Sequence, residues 1–214
     1  MKFPPTAPDA ETAAGGGTLR VLGIDPGLAD VGWGAIECGV DGLCRLIDYG
    51  VIRTGPEAPL PERLGTIHGA VGELMGRIAP RAVAVEQLYF AKNVKTAMIV
   101  AHGRAACILA IAGHSATLRE PTPLQIKQAL TGHGRAGKRQ VQAMVRALLG
   151  LAEVPRPDHA ADALAAALCH IHMMGLEARM ESALAAALGE DTMEPDPRKA
   201  LLMQARSRRR GRRG

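Results

Sequence analysis

Three acidic positions in this sequence stand where a divalent cation could use them. Asp25 closes an apolar run, residues 19–24, and Pro26-Gly27 turn the chain directly after it. Glu86 closes a second such run, residues 81–85. Asp162 follows His159 by three positions in RPDHAADALAAAL (156–168), so the two share one helical face. Asp25, Asp162 and the neighbouring Asp158 have ordinary alternatives. Asp25 suits a turn, Asp158 suits a helix N-cap, and Asp162 in a first turn complements the helix dipole. A carboxylate at the end of a buried strand is costly unless it has a partner, and a cation is one. Carboxylates from two strand ends and a helix start, brought to one point, would raise one another's pKa values. Oxygen-rich clusters of that kind bind Mg2+ or Mn2+. Two such ions activate a water and stabilise the leaving oxygen in phosphodiester hydrolysis.

Basic and aromatic residues flank these positions. Lys138 and Arg139 open a helical segment, with Arg135 just before it. Cations there oppose the macrodipole, but with free helix N–H groups they make an anion site. Solvated surface charge is the ordinary alternative. The run QLYFAKNVK (87–95) sets Tyr89 and Phe90 beside Lys92, Asn93 and Lys95. Aromatics so placed can stack on unpaired bases, worth roughly 1–3 kcal/mol per base. Phe90 suits a core position equally well.

The elements that must position these residues are legible from periodicity. Residues 19–25, 32–38 and 43–53 read as strands, with Asp41-Gly42 as a hairpin signal. Residues 61–79 carry helical spacing and stop at Pro80. Residues 81–86 form a short buried strand, 94–112 a long Ala-rich helix apolar on more than one face, and 115–120 a further strand. Helices follow at 123–131, 138–150 and 158–173, and 176–188 suits another. Alternation puts Val21, Gly23 and Asp25 on one face, and Ala82, Ala84 and Glu86 on one face. If these strands are parallel neighbours, both carboxylates emerge at the same edge. The alanines around His159 and Asp162 let their helix approach a sheet closely. Opening hairpins followed by strand–helix–strand units predict an α/β fold with a mixed sheet. The chain divides into a flexible leader (1–18), a folded domain (19–174) and a partly disordered extension (175–214) with an Arg-rich end.

Composition sets outer limits. The 214 residues carry 26 Lys and Arg against 21 Asp and Glu, a net charge of +5. That balance weakly favours polyanionic partners. The final run, RSRRRGRRG, either grips phosphates or is simply a solvated tail. No N-terminal apolar segment reads as a secretory signal, and no run is long enough to span a membrane. Cys38, Cys44, Cys107 and Cys169 form no CxxC pair and lack zinc-finger spacing. They are expected as reduced thiols of a cytoplasmic protein.

Five segments in order, GIDPG (23–27), VEQLYFAKN (85–93), QIKQALTGHG (125–134), GKRQVQAMVRALLG (137–150) and DHAADALAAAL (158–168), resemble the RuvC family of bacterial Holliday-junction resolvases. The resemblance covers about 19–174. It implies a ribonuclease-H-like fold, a mixed five-stranded sheet with helices on both faces. It implies a homodimer that binds a four-way DNA junction and nicks two strands symmetrically with divalent metal, Mg2+ or Mn2+, two ions per subunit. Asp25, Glu86 and Asp162 match the family's catalytic carboxylates, and Lys127 and Lys138 match lysines near the scissile phosphate. Tyr89 aligns with a junction-stacking aromatic, and helix 94–112 with the dimer contact. A RuvA–RuvB branch-migration complex is implied as partner. His159 departs from the aspartate of many members. Imidazole is a softer ligand, so a Mn2+ preference is expected. Two rivals are weighed. An actin-like ATPase shares the fold, but a Gly-rich adenosine loop is missing. In a non-cutting junction binder, an acidic cluster would repel phosphate without metal.

Overall fold

The computed structural model describes residues 18–39, 41–87 and 94–187. Strands β1 (Leu19–Asp25), β2 (Asp30–Cys38) and β3 (Cys44–Arg53) come first, then α1 (Leu60–Ile78), β4 (Ala82–Val85) and α2 (Val94–Ala112). The chain continues with β5 (Thr117–Arg119), α3 (Pro123–Thr131), α4 (Lys138–Leu148) and α5 (Asp158–Ala187). The sheet order is β3-β2-β1-β4-β5. β1–β2 and β2–β3 are antiparallel, whereas β1–β4 and β4–β5 are parallel. The mixed sheet expected from the element order is therefore present.

Two apolar layers sandwich it. Leu22, Ile24, Val83 and Val85 pack with α1 and α2 on one face. Val21, Ile36, Ala82 and Ala84 pack with α3, α4 and α5 on the other. Period-two alternation sends consecutive residues of β1 and β4 to opposite layers. Asp25 and Glu86 therefore project toward the α5 side.

The α5 layer is thin because both partners are small. Ala160, Ala161, Ala163 and Ala165–Ala167 are buried on the helix. Beneath them the sheet offers glycine. A Cβ on Gly23 would overlap the Ala163 carbonyl, and one on Gly32 the His159 carbonyl. Glycine at these positions lets helix backbone rest on strand backbone.

Several expectations need correction. Cys38 and Cys44 are not reduced thiols: they form a disulfide, with Cα atoms 4.1 Å apart. They face each other as the last register pair of the β2–β3 hairpin, and that proximity permits the bond. CxxC spacing does not reveal a cross-strand pair. Cys107 and Cys169 are free and buried, and burial pushes their thiols up to about 12 and about 11. The helices expected at 158–173 and 176–188 are, over the described residues, one element, Asp158–Ala187, that passes through Gly175, since a lone glycine costs a helix only about 1 kcal/mol. By internal contacts the chain divides into Met1–Met173 and Met174–Gly214. The described part of the second unit, 174–187, is helical. No helix among the described residues is long and apolar enough to cross a membrane.

Candidate functional site

The site gathers where β1 and β4 run out side by side. Their parallel register pairs Ile24 with Val85, and the Glu86 N–H donates to the Ile24 carbonyl at 2.9 Å. The next residues on each strand are thus Asp25 and Glu86, neighbours at one rim of the sheet. The turn after Asp25 is pinned from below. Buried Thr54 donates through Oγ1 to the Leu28 carbonyl at 2.5 Å, and its N–H donates to the Ala29 carbonyl at 2.9 Å. Arg63 in turn donates to Thr54 Oγ1 at 2.8 Å.

Helix α5 brings the other two side chains. Its first turn lies over Gly32, which pairs with Asp25 across β1–β2. His159 Nδ1 donates to Asp25 Oδ2 at 2.7 Å, so in a neutral ring Nε2 keeps the lone pair. Ligand atoms of Asp25, His159 and Asp162 all lie within 4.8 Å of one another. Glu86 is outside that trio but within its field. Burial pushes the Glu86 carboxyl up to about 7, and the charges of Asp25 and Asp162 push the same way, against Lys138 and Lys127. Burial also raises the Asp25 carboxyl. The His159 hydrogen bond opposes this rise, and Asp162 adds to it.

Cations line the open side. Lys138, first residue of α4, donates to Asp162 Oδ2 at 2.9 Å and faces Asp158 Oδ2 at 3.4 Å. Asp158, expected as an N-cap, is instead the first helical residue, and Arg156 Nη1 donates to its Oδ1 at 2.5 Å. Gly137 leaves the α4 N-terminus without a side-chain cap. Those N–H groups and the exposed Arg139 are available to an anion. Lys127 is half-buried on α3. Tyr89, Phe90, Lys92 and Asn93 lie outside the described residues. Lys95 falls in α2, but its side chain is not described. Sequence reading missed the strand glycines that seat α5. The alternate small residues of GWG (32–34), opposite an Ala-rich helix, were the available signal.

A family model described as crossover junction endodeoxyribonuclease RuvC matches residues 21–170. The chain belongs to the RuvC family. The RuvC of Desulfitobacterium hafniense (strain DSM 10664 / DCB-2) is 47% identical over 166 residues, 78% of this chain and 100% of that one. The RuvC of Alkaliphilus metalliredigens (strain QYMF) is 47% identical over 154 residues, 72% and 93% of the two chains. Among solved structures, Thermus thermophilus RuvC superposes with a TM-score of 0.70 at 40% identity, covering 74% of this chain and 97% of that chain. The T. thermophilus RuvC in complex with a Holliday junction substrate gives 0.68 at 37% identity, with 74% and 96% covered. A yeast mitochondrial Holliday junction resolvase, Ydc2, shares the fold at 15% identity and a TM-score of 0.54, with 72% and 78% covered.

As a RuvC-family member the chain is a crossover junction endodeoxyribonuclease with the ribonuclease-H-like sheet. RuvC nucleases depend on divalent metal, and the donors here fit one. Burial and neighbouring negative charge raise the Asp25 and Glu86 carboxyls, and a hard cation would compensate them.

Proposed function

We propose that this RuvC-family chain resolves four-way (Holliday) DNA junctions by two symmetric, metal-dependent phosphodiester hydrolyses, in recombination and repair. The observation that carries the reading is the convergence of Asp25, His159 and Asp162 within 4.8 Å, with Glu86 in their field. These four side chains would hold Mg2+ or Mn2+, two ions per subunit, with Mn2+ favoured by the His159 imidazole. Bound there, the metal supplies an activated water and stabilises the departing oxygen. The protein's own groups set the stage. Glu86, which burial pushes up to about 7, would have to lose its proton to serve as a ligand. Lys138 exchanges its bond to Asp162 for a phosphate oxygen, which the open α4 N-terminus and Arg139 help to hold. Lys127 adds charge beside Glu86. Tyr89 is assigned to stacking on unpaired bases at the junction, and Phe90, Lys92, Asn93 and Lys95 to further DNA contacts.

The active form in this reading is a homodimer built on α2. That helix buries Ala106, Cys107, Ala110 and Ile111 against the sheet and leaves Met98, Ile99 and Leu109 exposed elsewhere on its surface. Two symmetric cuts call for two symmetric sites. A RuvA–RuvB complex delivers the junction, in the cytoplasm. The working division is a leader (1–18), the nuclease domain (19–174) and a C-terminal extension (175–214).

The test is incubation of the full chain with a synthetic four-way junction, with and without Mn2+, beside Asp25→Asn. Paired nicks that need both Mn2+ and Asp25 are expected. Binding without nicks under all conditions would favour a non-cutting junction binder of the same fold, and ATP turnover would point to the actin-like class.

A further inference from the structure

The segment joining β5 to α3 makes three attachments within three residues. The Glu120 carboxylate pairs with the Arg104 guanidinium of α2. The Pro121 carbonyl accepts from the Gln87 N–H at 2.9 Å. Thr122 caps α3 in a reciprocal box with Gln125. Two of these attachments lead into the nuclease site. Gln87 directly follows Glu86, and α3 carries Lys127, whose charge acts on Glu86. The third leads to α2, which also touches the other strand exit. A Cβ on Gly103 would overlap the carbonyl of Gly27, two residues past Asp25.

Arg104 is an expensive residue for packing alone. Its Nε is buried with no hydrogen-bond partner among the described residues. A partly exposed guanidinium whose buried Nε goes unpaired costs more than an apolar side chain of similar size. Glu120 is also partly exposed and would be hydrated without a partner. The pair therefore gains little for the fold and much for the placement of the loop.

We propose that Arg104 is a positioning residue of the nuclease site, acting through Glu120 to fix the 120–122 loop and with it Glu86 and Lys127. This rests on the reading of Glu86 as a metal ligand. Without the ion pair, the β4 exit and the start of α3 lose their common anchor to α2. The Glu86 carboxylate then spends less time at the position that completes the cation site. Partners that orient metal ligands typically change metal affinity or activity by about 10–100-fold when removed.

The experiment compares the full chain with Arg104→Gln, Arg104→Lys, Glu120→Gln and the Arg104→Gln/Glu120→Gln double variant. Mn2+ binding is read by electron paramagnetic resonance, alongside single-turnover junction cleavage and metal-free junction binding. Arg104→Gln and Glu120→Gln are each expected to weaken Mn2+ binding and slow cleavage about tenfold, with junction binding unchanged. The double variant should be no worse than the worse single variant, and Arg104→Lys should recover part of the loss. Parent-like Mn2+ affinity in the folded single variants, or fully additive losses in the double, overturns the inference. If Arg104→Gln does not fold, the exposed partner variant Glu120→Gln decides the matter by the same readings. Glu86→Gln separates the two readings. If it binds Mn2+ and cuts like the parent, the ligand assignment itself fails. If it is inactive while the Arg104 and Glu120 variants are normal, only the positioning role fails.

Discussion

His159 is a nitrogen donor set among carboxylates, and its chemistry marks this site. Its Nδ1 is engaged with Asp25 at 2.7 Å, which fixes the ring and directs Nε2 elsewhere. An imidazole suits Mn2+ better than Mg2+. His159→Asp is therefore expected to lower the ratio of cleavage rates in Mn2+ and Mg2+, and an unchanged ratio would remove the argument. Glu86 makes a second prediction. In the metal-free protein its carboxyl titrates near 7, above its ordinary 4.5. A carboxyl raised by folding stabilises the folded state fully below the unfolded pKa, and that stability is lost as pH rises through the folded value. The melting temperature of the metal-free chain should fall between about pH 5 and about pH 8. Glu86→Gln should flatten that slope, and saturating Mn2+ should restore stability at the alkaline end. A slope of the same size in Glu86→Gln would locate the titration elsewhere.

At the scale of elements, the contact between α5 and β2 decides whether the trio forms. Gly32 is the point at which strand backbone meets the His159 carbonyl, so an added methyl must push the helix start outward. Gly32→Ala is expected to cost about 1–3 kcal/mol in urea unfolding, the range for overpacking a close contact. It should also weaken Mn2+ binding, because His159 and Asp162 move with the helix. Gly69→Ala on α1 is the matched control. Nothing lies within 4 Å of the added Cβ there, and helix propensity favours alanine by roughly 0.5–1 kcal/mol. Equal effects of the two substitutions would show that the close approach of α5 is not what positions His159 and Asp162.

For the whole molecule, the proposed dimer is what would turn one nick into resolution. Leu109 stands 66% exposed on α2, with Met98 and Ile99 also open to solvent. A charge there leaves the buried face of the helix untouched. Leu109→Glu should shift the sedimentation coefficient toward that of a monomer and replace paired cuts by single, uncoupled nicks. A dimer of undiminished affinity would place the subunit contact on another surface.

The candidate site was legible in the sequence because its residues lie in local patterns. An acidic residue ending an apolar run, a His–Asp pair at helical spacing and lysines at a helix start are visible one segment at a time. The strand and helix order was visible for the same reason, since periods of 2 and 3.6 are local. What only the tertiary structure decided depends on pairing between distant segments. The parallel register of β1 and β4 made neighbours of Asp25 and Glu86, 61 positions apart in the numbering. The hairpin register brought Cys38 against Cys44. The glycines that seat α5, and the Arg104–Glu120 tie behind the site, acquire meaning only once opposing backbones are in place. A sequence records which side chains are present and how they alternate. The free energy of close contact, which fixes a carboxylate to within an ångström, belongs to surfaces that meet only in the folded chain.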